Sequence, residues 1–184
     1  MRKMNLEDYE KWLEKHANFE EREAVRVVET ILDYHQKVNK EYEFVQLFPR
    51  VKFKGMEFDL IILLSDKKKS LKETDFFDRV IGVEFKEVDT KCVVQQAVER
   101  RKYVDYQYVA TRNVWMDYAE IFLMALFGIG WVVYEKGFSK LIIPSRMRDT
   151  FGKVEELVNY LIEKRMEKLV EDVVNRKLSD FLKR

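Results

Sequence analysis

The sequence predicts an α/β (α+β) domain: a central mixed β-sheet flanked by helices, followed by a long C-terminal amphipathic helix. Three observations carry this expectation. Short apolar runs with strand character lie around Phe44–Phe53, Phe58–Leu64 and Val80–Val88, with turn or polar residues between them. Stretches with apolar residues at helical spacing precede, separate and follow these runs. From Lys153 to Leu182, apolar residues recur every three or four positions for about eight turns, with charges between.

Taken in order, residues 5–39 read as helical, with one helix to about His16 and a longer one after Asn18. Asn18 suits an N-cap, and Glu20 and Glu21 fall in the first turn, where the helix dipole favours acids. Ala24, Val25, Val27, Val28, Ile31 and Leu32 make the inward stripe. Glu20 and Glu21 project at the edges of that stripe. They are either dipole partners or acids that face the strands.

Glu43–Phe53 has strand character, broken by Pro49, and Lys54-Gly55-Met56 turns the chain into the next strand, giving a hairpin. Ser65–Asp78 is a polar connection carrying Lys67-Lys68-Lys69, a solvated loop or a contact for phosphates. The Val80–Val88 strand follows. Thr90–Tyr106 reads as a helix with Val93, Val94, Ala97, Val98 and Val104 inward; Gln96, Arg100 and Tyr103 line one flank.

Tyr108–Thr111 is a short strand. Trp115–Phe127 is an apolar helix ended by Gly128 as C-cap, and Gly130–Tyr134 is a strand. Phe138–Ile143 is a further strand or edge, stopped by Pro144. Arg146–Gly152 is the one boundary, dividing residues 1–145 from a helical tail, 146–184. That tail either wraps the domain or pairs with another chain, which makes a homodimer through it an expectation.

Composition narrows the function classes. The 184 residues carry a formal net charge of +1 with 36% charged residues, so any basic surface for nucleic acid is local. Abundant Lys and Glu with few Gly and Pro match proteins from hot environments. Cys92 is the single cysteine, which excludes an internal disulfide; with only His16 and His35 beside it, a structural zinc site lacks ligands. The two histidines sit on a polar helix pattern and receive no chemistry. Trp12, Trp115 and Trp131 read as core or interface residues, and Met116, Met124, Met147 and Met166 as core fillers. Met-Arg-Lys followed by an acidic amphipathic stretch is not a signal peptide, and the apolar run Ile121–Val133 is too short for a bilayer. The expectation is a cytoplasmic protein without membrane contact.

One stretch does not fit a purely structural strand. In Val80–Val88, side chains alternate faces, so Ile81, Val83 and Phe85 point one way and Gly82, Glu84 and Lys86 the other. A carboxylate and an ammonium on one face of a central strand are costly unless paired or bound. Asp59, upstream at the start of its strand, adds a second carboxylate. Phosphodiester cleavage needs a hard divalent cation with oxygen ligands. Asp59, Glu84 and the Phe85 carbonyl suit that cation. Lys86 suits the attacking water or the developing charge, and Gln96 a water or phosphate. Glu20 or Glu21 could add a further carboxylate.

These residues resemble the PD-(D/E)xK phosphodiesterase superfamily, the restriction-endonuclease-like nucleases. The pieces that match are Phe19-Glu20-Glu21, Phe58-Asp59-Leu60, Gly82-Val83-Glu84-Phe85-Lys86 and Val94-Gln95-Gln96-Ala97. The strand Tyr108–Thr111 and the helix ending at Gly128-Ile129-Gly130 continue the likeness, which spans roughly residues 15–140. Phe58 stands where the name-giving motif has Pro, and the Ser65–Asp78 connection is long.

The resemblance implies a restriction-endonuclease-like core and a Mg²⁺- or Mn²⁺-dependent nuclease acting on DNA, with RNA left open. It makes Asp59, Glu84 and the Phe85 carbonyl metal ligands and Lys86 the catalytic lysine, with Gln96 and Glu20 or Glu21 assisting. Lys67, Lys68, Lys69, Arg100 and Tyr103 are then nucleic-acid contacts. Two plainer readings stand beside it. Glu84 and Lys86 can form a strand-end ion pair, or the fold can serve as a non-catalytic nucleic-acid-binding or assembly module that uses the C-terminal helix.

Overall fold

The computed structural model describes residues 5–18, 20–38, 42, 44–66, 78–112, 114–150 and 152–182, with side chains to residue 177. The Lys67-Lys68-Lys69 run lies outside the described residues. Helices α1 (Leu6–His16) and α2 (Ala24–Val38) precede strands β1 (Phe44–Phe53), β2 (Met56–Ser65) and β3 (Arg79–Lys86). Then come α3 (Thr90–Arg100) with a 3₁₀ turn (Arg101–Tyr103), β4 (Tyr106–Thr111), α4 (Tyr118–Phe127), β5 (Gly130–Glu135), β6 (Phe138–Ile143) and α5 (Lys153–Leu182).

The six strands form one mixed sheet in chain order, β1 to β6. β1–β2, β2–β3 and β5–β6 are antiparallel; β3–β4 and β4–β5 are parallel. Tight turns join β1 to β2 and β5 to β6, whereas parallel neighbours need a crossover, supplied by α3 and α4. The C-terminal ends of β3, β4 and β5 therefore share one edge of the sheet, and the loops that carry side chains beyond them meet there.

Each face of the sheet has its own core. α1 and α2 pack Tyr9, Val28 and Ile31 against Leu60, Ile62, Ile81, Val83 and Tyr108. On the other face, α3 and α4 cover Val109 and Val133. There α5 places Leu157, Val158 and Leu161 over Phe48, Val51, Phe58 and Ile61. The first turns of the C-terminal helix thus belong to the core. Further along, Met166, Leu169, Val170, Val173 and Val174 are exposed.

Local signals explain most boundaries. Asn5 caps α1 through the Asp8 N–H at 2.8 Å, and Asp117 with Glu120 forms a capping box on α4. That box starts α4 at Tyr118, so Trp115 and Met116 precede the helix rather than open it. Gly128 ends α4 in the left-handed region, φ 65°, as expected of a C-cap. Pro49 does not break β1: the strand lies at the sheet edge, where a missing N–H is tolerated.

Several side chains lie elsewhere than the sequence suggests. Met124 is core, but Met147 and Met166 are exposed. Trp131 is buried and donates to the Thr111 hydroxyl at 2.8 Å, Trp12 stacks on Tyr9 and His16, and Trp115 is exposed. His35, expected on a polar surface, is buried with Nε2 3.0 Å from the Tyr108 hydroxyl. Among the described residues, no helix is long and apolar enough to cross a membrane.

Candidate active site

The site begins with a failure of alternation. On β1, Leu47 faces the α1–α2 core, while Phe48, Val51 and Phe53 face α5; on β2, Leu60, Ile62 and Leu64 face the first core, while Phe58, Ile61 and Leu63 face the second. Regular pleating would put Phe48 and Val51, or Phe58 and Ile61, on opposite faces. Both strands change parity at the same place, and the register, Pro49 with Leu60 and Val51 with Phe58, puts Arg50 and Asp59 there. Arg50 holds φ 49°, a left-handed conformation unusual for a side chain of its size.

The kink turns Asp59 toward β3. The β2–β3 ladder runs from Leu64–Arg79 to Leu60–Val83 and stops, although both strands continue. The next rung would set Asp59 against Glu84. Instead, the Phe85 N–H donates to Asp59 Oδ2 at 2.8 Å. Asp59 is the fourth residue of β2, not its beginning, and its carboxyl lies between the parted strands. The Arg112 N–H donates to the Lys86 carbonyl, on the β4 side. Both backbone groups of a strand residue face the same neighbour, and successive residues alternate. The Phe85 carbonyl therefore faces the same opening as its N–H.

Glu84 is 1% exposed and points toward α3, where Arg100 Nε lies 3.4 Å from Glu84 Oε1. That distance gives charge attraction, but the angle gives no hydrogen bond. Among the described residues, Glu84 Oε1 and Arg100 Nε and Nη1 have no hydrogen-bond partner. Burial first, and the Asp59 charge second, push the Glu84 carboxyl well above its ordinary range, against the opposing pull of Arg100. Burial likewise pushes Asp59 up to about 6, offset in part by the Phe85 N–H. Glu84 thus feels the Asp59 charge, and Arg100 offsets it only in part.

Lys86 ends β3 at the mouth of this opening, its Nζ 2.9 Å from Glu20 Oε1. The hydrogen bond it donates to Glu20 raises the lysine above its ordinary range, so the ammonium is held charged. Glu21 does something different. It is buried, exchanges hydrogen bonds with Asn18 in capping-box fashion, and takes Arg50 Nη2 at 2.6 Å. Arg50 also donates to the His16 carbonyl and lies over the Trp12 ring. Of the two acids left open, Glu20 meets Lys86 and Glu21 anchors the kink.

Two expectations are corrected. Arg100 is not a surface contact for nucleic acid but the buried counter-charge of Glu84. Tyr103 is a core residue, edge-on to Phe53 with ring centres 5.3 Å apart, because the 3₁₀ turn after α3 rotates it inward. Gln96 sits half-buried one turn before Arg100, and among the described residues no hydrogen bond joins it to Asp59 or Glu84. Arg50 carried no signal in the sequence beyond its place next to Pro49.

The described residues contain no group of three or more His, Cys, Asp or Glu side chains able to hold a metal. A two-carboxylate site nevertheless fits Mg²⁺ or Mn²⁺, since Mg²⁺ keeps several waters and is held by one or two carboxylates. The donors here, Asp59, the orphaned Glu84 oxygen and the Phe85 carbonyl, are all hard oxygens. Compared with known proteins, the chain matches no family model, no curated protein and no solved structure.

Proposed function

We propose that the chain is a divalent-metal-dependent nuclease that hydrolyses DNA phosphodiester bonds. The observation that supports it most is the buried pair Asp59–Glu84, Asp59 where β2 and β3 part and Glu84 feeling its charge, with Glu84 Oε1 lacking a hydrogen-bond partner among the described residues. Held by those carboxylates and the Phe85 carbonyl, Mg²⁺ or Mn²⁺ would neutralise phosphate charge and acidify a water. Lys86, kept charged by Glu20, stabilises negative charge that grows on the phosphate rather than removing a proton. Arg100 keeps Glu84 within reach of ionisation.

Calorimetric titration of the full chain with MnCl₂ at pH 7.5 tests this. Binding is expected, weakened at least about tenfold by Asp59→Asn, a size of loss seen for groups near a metal. No heat, or equal affinity in the variant, would favour the non-catalytic module.

A second proposal rests on α5. Its aliphatic stripe from Met166 to Val174 is exposed beyond the part that packs on the sheet, which suits the same helix of a second copy. Light scattering is expected to give twice the chain mass for the full protein and a single mass for a chain ending at Lys164, which keeps Leu157, Val158 and Leu161. One mass for both would remove the homodimer.

A further inference from the structure

The outward face of α4 and the residues just before it carry large exposed apolar side chains. Tyr118 is 93% exposed and Phe122 67%, followed one turn on by Leu126 at 50% and preceded by Trp115 at 79%. Tyr118, Phe122 and Leu126 are four apart, so they line one side of the helix at about 6 Å per step, and Trp115 lies in the connection just before it. Core-facing α4 residues such as Met124 serve the sheet; this row faces away from it. Between Tyr118 and Leu126 the only acid is Glu120, which is buried in the helix cap.

Two further observations say what the row meets. The first is place. Lys86 pairs in register with Thr111, and the Lys86 carbonyl takes the next amide, Arg112. The connection that carries Trp115 and starts α4 therefore leaves the sheet at the edge where Lys86 stands. The second is charge. Arg112 lies exposed at the near end of the row, paired with Glu87. At the far end, Arg148 lies over Phe127 and Arg146 donates to the Ala125 carbonyl, both side chains exposed. An apolar aromatic strip with cations at both ends complements a chain of flat bases on a phosphate backbone. The aliphatic stripe of α5, by contrast, suits another helix.

On the reading of the chain as a nuclease, we propose that α4 is a stacking platform for single-stranded nucleic acid, with Trp115, Tyr118 and Phe122 taking unpaired bases. The substrate class is then a strand with an unpaired segment leading to the Lys86 edge, since paired bases do not present their faces.

Fluorescence anisotropy of the full chain with labelled oligo-dT and with a duplex of equal length, in EDTA so that nothing is cut, tests it. The wild type is expected to bind the single strand more tightly. Trp115→Ala with Tyr118→Ala should weaken that binding at least about tenfold, the size of one lost stacking contact, and leave the duplex unaffected. Trp115→Phe should restore most of the loss. Unchanged affinity in the double variant, or no single-strand binding by the wild type, overturns the proposal. So does a double variant that loses self-association by light scattering while its oligo-dT affinity stays; the row is then a protein interface. Because the assay contains no metal, its outcome does not depend on the MnCl₂ titration that tests the nuclease reading, so loss of that reading and loss of the platform show up separately.

Discussion

Cleavage of a labelled oligonucleotide with Mn²⁺ is expected to fall about a thousandfold in Lys86→Ala and in Asp59→Asn, while both proteins remain folded. The size follows from removing one preorganised charge aimed at the reacting group, worth about 10²–10³ in rate. Lys86 spans the mouth of the opening and is held by Glu20, so its loss empties the position without touching either core. Asparagine is the informative replacement at Asp59. Its side-chain oxygen can still accept from the Phe85 N–H, so the rung survives and only the charge disappears. Burial already penalises that charge, so Asp59→Asn should leave the urea midpoint unchanged or raise it, the usual trade between stability and function. Full metal-dependent cleavage by both variants would end the nuclease proposal.

The second large effect concerns acid stability and involves no catalytic group. Burial lowers the His35 imidazole to about 4. It sits among the rings of Tyr34, Tyr106 and Tyr108, and burial alone sets the direction. The unfolded chain takes up this proton near pH 6.5, the folded chain only near 4. The neutral form is the one that folds, so its contribution is complete above about pH 6.5 and is lost as pH falls toward 4. Across that window the loss is about 3 kcal/mol. The buried acids Asp59 and Glu84 shift the opposite way over this range and are common to both proteins, so the comparison isolates the histidine: between pH 7.5 and 4.5 the urea stability of the wild type should fall relative to that of His35→Gln by most of this difference. Parallel pH profiles for the two proteins would show that the histidine is not responsible.

The sequence reveals the fold through patterns that depend on near neighbours. Gly128 announces the end of α4, and the alternation around Glu84 identifies the strand that matters. The hydrophobic repeat after Lys153 identifies α5. The alternation also marks Glu84 and Lys86 as residues without a packing reason; Asp59 lies where β2 and β3 part, and Glu84 feels its charge.

What stays hidden depends on long-range placement. Helical spacing puts Gln96, Arg100 and Tyr103 on one flank of α3 but does not say how deep that flank lies. Arg100 is buried because Glu84 needs a counter-charge. His35 reads as polar surface because only folding brings the β4 tyrosines around it. Lys86 and Glu20 are distant in the chain and meet only through the arrangement of α2 against the sheet edge. The Arg50 kink is the least legible of all, because a left-handed arginine costs energy and no local preference asks for it.

The side-chain rung between Asp59 and Phe85 also bears on how the sheet behaves mechanically. Two antiparallel strands joined by backbone bonds alone tend to zip to their ends. Here a carboxylate arm acts as a spacer, so the gap between β2 and β3 keeps a width set by one side chain. Shortening that arm to alanine would let the gap close or leave the Phe85 amide to water. Either way, a change at a single residue would alter the entrance as well as its contents.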